Sequence, residues 1–156
     1  MIEVYCDGAA SKNGTQNSIG GWAYIVKDQG SDSYFHYDTG FKNKATNQQM
    51  EITAAMKALQ YITSDYPFIL EGKEGLTIYS DSAYVVNCIN QNWWRNWERN
   101  GWINSSKKPV ANKELWEDLL KEYKRIPFCE FIKVQGHSGN KYNEIVDELA
   151  VSARLG

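Results

Sequence analysis

Three alternating apolar segments precede any helical pattern in this chain, and that order limits the fold more than any other feature of the sequence. Residues 2–7 alternate through Ile2, Val4 and Cys6, and residues 20–26 and 33–39 read as two further strands separated by a turn-like stretch at 27–32. Such a run predicts an antiparallel meander. The period then changes. Thr46, with Gln49 three residues on, has the form of a capping box, and Ile52, Ala55, Met56, Leu59 and Ile62 recur along one helix face. A loop at 64–75 containing Pro67, Gly72 and Gly75 leads to a strand at 76–80, after which Asp81 and Ser82 open a helix through Val85, Val86 and Ile89. A helix between these strands implies a right-handed parallel crossover. Beyond the aromatic segment 92–102, Asn112 is expected to cap a helix with Leu115, Leu119, Leu120 and Tyr123 inside. A strand at 128–134 and a short helix from about Tyr142, with Val146, Leu149, Ala150 and Ala153 inward, complete the chain. The expectation is an α/β fold: one mixed five-stranded sheet, three strands antiparallel and then parallel strands, flanked by helices.

The 156 residues suit a single domain, and a hydrophobic share of 42% with 23% charged residues is that of a soluble globular protein. No apolar stretch approaches the roughly 18 residues of a membrane span. The start Met1-Ile2-Glu3 runs into a strand without a basic segment or apolar signal, so a cytoplasmic protein is expected. Cys6, Cys88 and Cys129 are widely spaced in apolar runs, fit no zinc pattern, and are expected to be buried reduced thiols. The net charge of −2 is not that of a typical nucleic-acid binder, but charge is uneven: residues 93–113 carry Arg95, Arg99, Lys107, Lys108 and Lys113 against Glu98 alone. A basic patch and an acidic site can share one small domain.

Four acids stand out. Asp7 and Asp81 each end an apolar run, whereas Glu51 and Asp147 lie in helical patterns. Singly, such residues are turn formers or members of a solvated helix face. Gathered together they repel, so a fold that collects them needs counter-charge, and oxygen-only ligands favour Mg²⁺ or Mn²⁺ over zinc. That is the composition of a two-metal phosphodiesterase site.

Their neighbours sharpen the reading. The motifs run Tyr5-Cys6-Asp7-Gly8, Thr46-Asn47-Gln48-Gln49-Met50-Glu51, Ser80-Asp81-Ser82, Trp97-Glu98-Arg99-Asn100-Gly101-Trp102 followed by Lys107-Lys108-Pro109-Val110, Gly136-His137-Ser138-Gly139, and Asn143-Glu144-Ile145-Val146-Asp147. In this order and spacing they resemble type 1 ribonuclease H, the enzymes that cut the RNA strand of an RNA/DNA hybrid. The resemblance spans residues 4–153 and is to members with a basic protrusion and no separate hybrid-binding domain. It implies a ribonuclease H-like fold in one catalytic domain with the protrusion at about 93–108. It also implies two Mg²⁺ held by Asp7, Glu51, Asp81 and Asp147, with Mn²⁺ a possible substitute, and products with 5′-phosphate and 3′-hydroxyl ends. His137 would assist proton transfer or product release, for which an imidazole pKa near 6.5 is suited.

The RNA strand is told from DNA by its 2′-hydroxyl, and Gly8, Asn13, Asn47 and Gln48 resemble the positions that contact it. Asn143 shares a helix face with Asp147 and is either a further RNA contact or a helix cap. Thr46, Asn96 and Lys44 match the phosphate pocket for the DNA strand. Tyr84 and Trp97 match aromatics that pack on deoxyribose, although Trp97 is also compatible with the core. One extra residue in the arm leaves Trp93 and Trp94 as alternatives for a second aromatic role. Ala83 stands where some relatives have a polar residue. Nothing calls for an oligomer, and a monomer is expected. The competing readings are a silent hybrid-binding module and a related nuclease or strand-transfer enzyme acting on DNA.

Overall fold

The computed structural model describes residues 1–136 and 139–155. Its element order is β1 (Ile2–Ser11), β2 (Ile19–Asp28), β3 (His36–Asn43), α1 (Asn47–Asp65), α2 (Pro67–Leu70), β4 (Leu76–Ser80), α3 (Ala83–Asn90), α4 (Trp93–Asn100), α5 (Lys113–Tyr123), β5 (Cys129–Lys133) and α6 (Lys141–Ala153). The strands form one five-stranded sheet in the order β3-β2-β1-β4-β5. The β1–β2 and β2–β3 pairs are antiparallel, and β1–β4 and β4–β5 are parallel. The mixed sheet is the one the periodicities imply.

Local chemistry explains most boundaries. Thr46 accepts from the Gln49 backbone N–H while the Gln49 side chain accepts from the Thr46 N–H, so the capping box closes and fixes where α1 begins. Ser82 caps α3, and Asn140 caps α6 by accepting from the N–H groups of Tyr142 and Asn143. Four expectations change. The first strand does not end at Asp7 but runs on to Ser11, because its backbone stays paired with β2 as far as Ile19. The third strand starts at His36 rather than residue 33, because Ser31 and Ser33 close a local turn and pairing with β2 resumes at Phe35, whose N–H donates to the Val26 carbonyl. The loop at 64–75 contains the single turn α2, started by Pro67 at a position that needs no N–H. Asn112 precedes α5 as expected, but its backbone is left-handed (φ 62°) and its side chain makes no cap bond.

Because side chains alternate across a strand, each sheet face has its own core. The larger, under α1, α3 and α5, includes Val4, Ile52, Leu59, Ile78, Trp116 and Leu119; the smaller, under α6, includes Tyr5, Ala23, Ile25, Val146 and Ala150. Two glycines bring helices unusually close. A Cβ at Gly8 would stand 2.2 Å from the Met50 carbonyl carbon, and one at Gly21 2.0 Å from the Ala150 carbonyl oxygen. With hydrogen in place of a methyl, α1 and α6 lie directly on the sheet, and these are the helices that carry Glu51 and Asp147. Among the described residues, no helix is long and apolar enough to cross a membrane.

Candidate active site

The parallel register pairs Tyr5 with Tyr79 and Cys6 with Ser80, so Asp7, inside β1, and Asp81, just past the end of β4, follow side by side. Asp7 points to the α6 side of the sheet. Gly8, facing the other way, lets the first turns of α1 bring Glu51 against the same part of β1. Asp7, Glu51 and Asp81 each place a carboxylate oxygen within 4.8 Å of the other two. Asp147 stands outside that set, yet lies close enough for its charge to raise the Asp7 carboxyl. The four acids therefore converge from two strands and two helices.

Their electrostatics are unfavourable. Asp7 is 3% exposed, and the Glu51 Oε2 is buried with no hydrogen-bond partner. Burial, followed by the charges of Asp81 and Asp147, pushes the Asp7 carboxyl up to about 8, opposed by the Gly8 N–H that donates to its Oδ1 at 2.9 Å. Glu51 is raised well above its ordinary range by burial and then by Asp7 and Asp81. Among the described residues, no Lys or Arg pairs with any of the four acids. Close, buried carboxylates without a fixed counter-ion either keep protons or take up a cation. The donors are all oxygen, and the orphaned Glu51 oxygen offers a free ligand atom, so hard divalent cations fit.

The surrounding polar residues are partly committed. Asn47 accepts from the Ala10 N–H at 2.7 Å through Oδ1 and donates its own N–H to the Asn13 Oδ1 at 2.9 Å. This knits the β1 end to the start of α1. Gln48 and Lys44 are exposed, and Lys44 has a left-handed backbone (φ 59°). The Thr46 hydroxyl is occupied in the capping box. Asn143 is buried, and its Oδ1 has no partner. His137 lies outside the described residues.

The aromatic arm resolves into two sides. Trp94 is buried against Tyr123, with Arg95 and Lys124 each 5.1 Å from its ring centroid. Of the two adjacent tryptophans, Trp94 is thus the anchor in the core, and its candidacy as a substrate contact is withdrawn. Residues one apart on a helix point about 100° apart, so Trp93 faces the other way. It continues a half-buried aromatic series: Trp93 lies 6.4 Å from both Tyr84 and Trp97, while Trp116 lies 5.3 Å from Tyr84 and donates its Nε1–H to the Tyr84 hydroxyl at 3.0 Å. Trp97 also packs on Trp102 and Trp116, so it belongs partly to the core and partly to an open groove of about 690 Å³ shared with Trp93, Asn96, Asn100 and Asn104. Asn96 accepts from Arg99 at 3.2 Å. Glu98 is held by Lys124 at 2.6 Å, which offsets the one acid in the arm.

Sequence reasoning passed over Gly21. A glycine inside a strand pattern was the available signal, since it marks a bulge or a close backbone approach.

This frame has known counterparts. The sequence matches the RNase H family over residues 1–154. A protein named ribonuclease H from Symbiobacterium thermophilum (strain DSM 24528 / JCM 14929 / IAM 14863 / T) is 43% identical over 152 residues, covering 97% of this chain and 93% of that one. LC9-RNase H1, described as a type 1 RNase H with the type 2 active-site motif, superposes with a TM-score of 0.80 at 23% identity, over 99% of this chain and 72% of that chain. LC11-RNase H1, solved with an RNA/DNA hybrid, gives 0.70 at 18% identity over 98% and 99%. With the match spanning all four acids and the relative aligned almost end to end, the chain belongs to the ribonuclease H family.

Proposed function

We propose that the protein is a metal-dependent endoribonuclease that hydrolyses the RNA strand of RNA/DNA hybrids, leaving 5′-phosphate and 3′-hydroxyl ends. The observation that carries this reading is the carboxylate cluster of Asp7, which is buried, with Glu51 and Asp81, which are half-buried; no Lys or Arg among the described residues pairs with it, and Asp147 adds its charge. These four residues would hold two Mg²⁺ or Mn²⁺ ions, which when bound lower the pKa of the attacking water and stabilise charge on the phosphate. No side chain has to act as a nucleophile.

The protein's own part is to position the two strands. Gly8, Asn13, Asn47, Gln48 and Asn143 would supply the backbone and amide groups that a 2′-hydroxyl, both donor and acceptor, requires. The DNA strand would follow Thr46, Lys44 and Asn96 to the aromatic series Tyr84, Trp93 and Trp97. His137 is assigned to proton transfer or product release. The whole chain would be one catalytic domain acting as a monomer, with residues 93–108 as its basic protrusion.

A gel assay with end-labelled hybrid, double-stranded RNA and double-stranded DNA in Mg²⁺ tests the reading. Cleavage of the hybrid's RNA strand alone, stopped by chelation, is expected. Cutting of the DNA duplex would favour the DNA-nuclease alternative, and tight binding without cutting the silent module.

The arm gives a separate expectation. Arg95, Arg99, Lys107 and Lys108 are exposed and Glu98 is already paired, so replacing the four cations by alanine should raise KM much more than it lowers kcat. The dependence of affinity on salt should flatten by about 0.9 in log–log slope per lost phosphate contact, the value for a B-form duplex. Wild-type KM and salt slope in that variant would show that the arm is not the binding element.

A further inference from the structure

Beneath α6 lies a buried charge that the proposed chemistry does not use. Lys27 is the cross-strand partner of Glu3, its side chain is 4% exposed, and its ammonium donates to the Glu3 Oε1 at 2.9 Å and the Asp28 carbonyl at 3.0 Å. An ammonium has three N–H groups. The remaining direction is taken by the ring of Tyr142, whose centroid is 4.8 Å from the Lys27 Nζ. The other oxygen of Glu3 accepts from the Tyr79 hydroxyl at 3.0 Å. Tyr79 stacks on Tyr5 with centroids 4.6 Å apart, and Tyr5 leans on Tyr142 at 5.3 Å. Lys27, Glu3, Tyr79, Tyr5 and Tyr142 thus form a closed circuit.

Its members are placed tellingly. Tyr5 lies two residues before Asp7 on β1, Tyr79 two before Asp81 on β4, and Tyr142 five before Asp147 on α6. The end of α6 that enters the site is also tied at its cap, because the Asn140 side chain accepts from the N–H groups of Tyr142 and Asn143. On the far side the Tyr142 hydroxyl donates to the Ser31 carbonyl at 3.1 Å, and the Lys141 ammonium to the Asp32 carbonyl at 3.2 Å.

We propose that Tyr142, held by the buried Lys27–Glu3 pair, is a positioning residue that sets α6, and with it Asp147 and Asn143, against the carboxylates on β1 and β4. The inference rests on the proposed reading of those carboxylates as cation ligands. A buried ammonium that loses one of its three partners is costly, so the circuit stays closed only while Tyr142 stays over Lys27. That requirement fixes the helix in rotation as well as in height. Gly21 sets the height at the other end, where Ala150 touches β2.

The test compares Tyr142→Ala, Tyr142→Phe, Lys27→Met and Lys27→Arg, measuring steady-state hydrolysis of a defined hybrid and calorimetric titration with Mn²⁺ alone. Tyr142→Ala and Lys27→Met should lower kcat and weaken Mn²⁺ binding by about tenfold each, as removal of groups that orient metal ligands typically does. KM should change much less than kcat, because apart from Asn143 the groups proposed to bind the two strands lie on elements other than α6. Tyr142→Phe, which keeps the ring, and Lys27→Arg, which keeps the charge, should retain most of both. A Tyr142→Ala protein with a lowered melting point but wild-type kcat and Mn²⁺ affinity would overturn the proposal, leaving the circuit a support of the fold only. Raised KM at unchanged kcat would overturn it too, by making Tyr142 a substrate contact. If the wild-type protein cuts no hybrid, the proposed activity fails, while the Mn²⁺ isotherms still decide whether the circuit positions the acids.

Discussion

Asp7→Asn should reduce Mg²⁺-dependent hybrid cleavage by at least about a thousandfold, a loss of roughly 4 kcal/mol of transition-state stabilisation. Hybrid binding should survive, because Asp7 makes no contact to the arm and the substitution removes negative charge rather than a phosphate-binding group. Asp81→Asn should behave alike. The cause is the geometry: Asp7 shares the 4.8 Å cluster with Glu51 and Asp81 and feels the charge of Asp147 as well. Full activity in Asp7→Asn would remove the metal assignment.

The same substitution has an opposite effect on the fold. Asp7 is raised from 3.8 to about 8 by burial and its acidic neighbours. An acid whose pKa is higher in the folded protein than in the unfolded chain binds more protons when folded, so its ionisation opposes folding. The penalty is full above the folded value, shrinks as the pH falls through it, and is gone below the unfolded value; here the window runs from about pH 8 down to about pH 4, and the titration belongs to the acid set rather than to Asp7 alone. In chelator at pH 8.5, Asp7→Asn should therefore be more stable than wild type. The advantage should shrink toward pH 5. Saturating Mn²⁺ should reverse the order, since a ligand at 100 times its Kd adds about 2.7 kcal/mol to the protein that binds it. Melting curves at the two pH values, with and without Mn²⁺, check all three statements. Equal stability in chelator at pH 8.5 would mean the carboxylates do not repel as the structure implies.

The acids were legible before the fold because Asp7 and Asp81 close apolar runs and Glu51 and Asp147 fall inside helical patterns, so placing the elements placed the side chains, although β1 runs on past Asp7 to Ser11. The parallel neighbours β1 and β4 followed from the helix between them, and the register that sets Asp7 beside Asp81 bears that out. What could not be read was anything that depends on which element lies opposite. Trp93 and Trp94 are equivalent in sequence; only the position of α5, which brings Tyr123 against Trp94, separates them. Lys27 reads as the first residue of a polar turn, and its burial follows from pairing with Glu3 in a register the sequence does not state. The third strand was placed three residues early because an edge strand with Phe35, Tyr37 and Phe41 exposed gives no one-sided pattern to fix its start. Asn112 has the right residue type for a cap in the wrong backbone conformation.

Gly8→Ala is the sharpest test of how the fold makes the site. The added Cβ would stand 2.2 Å from the Met50 carbonyl carbon and 2.5 Å from both the Glu51 nitrogen and the Met50 oxygen. All three are backbone atoms of α1, so no side-chain rotation relieves the contact. The start of the helix must retreat from β1 by about 1 Å, a misplacement that can cost about a hundredfold in rate when reacting groups are held by it. Glu51 would move with it, and the hydrogen bonds linking Asn47 to Ala10 and Asn13 would stretch. The expected result is a fall in kcat of about a hundredfold and a loss of about 1–3 kcal/mol in stability, as for other overpacked interiors. Gly75→Ala is the control, because its Cβ would meet the end of the flexible Met1 side chain at 3.3 Å and the Phe128 carbonyl oxygen at an ordinary 3.9 Å, at the opposite end of β4 from Asp81. It should keep wild-type turnover. Calorimetric Mn²⁺ titration separates the effects: if Gly8→Ala loses stability but binds the ion and turns over like wild type, then α1 has room to shift without carrying Glu51 away, and the close approach at Gly8 serves the core rather than the site.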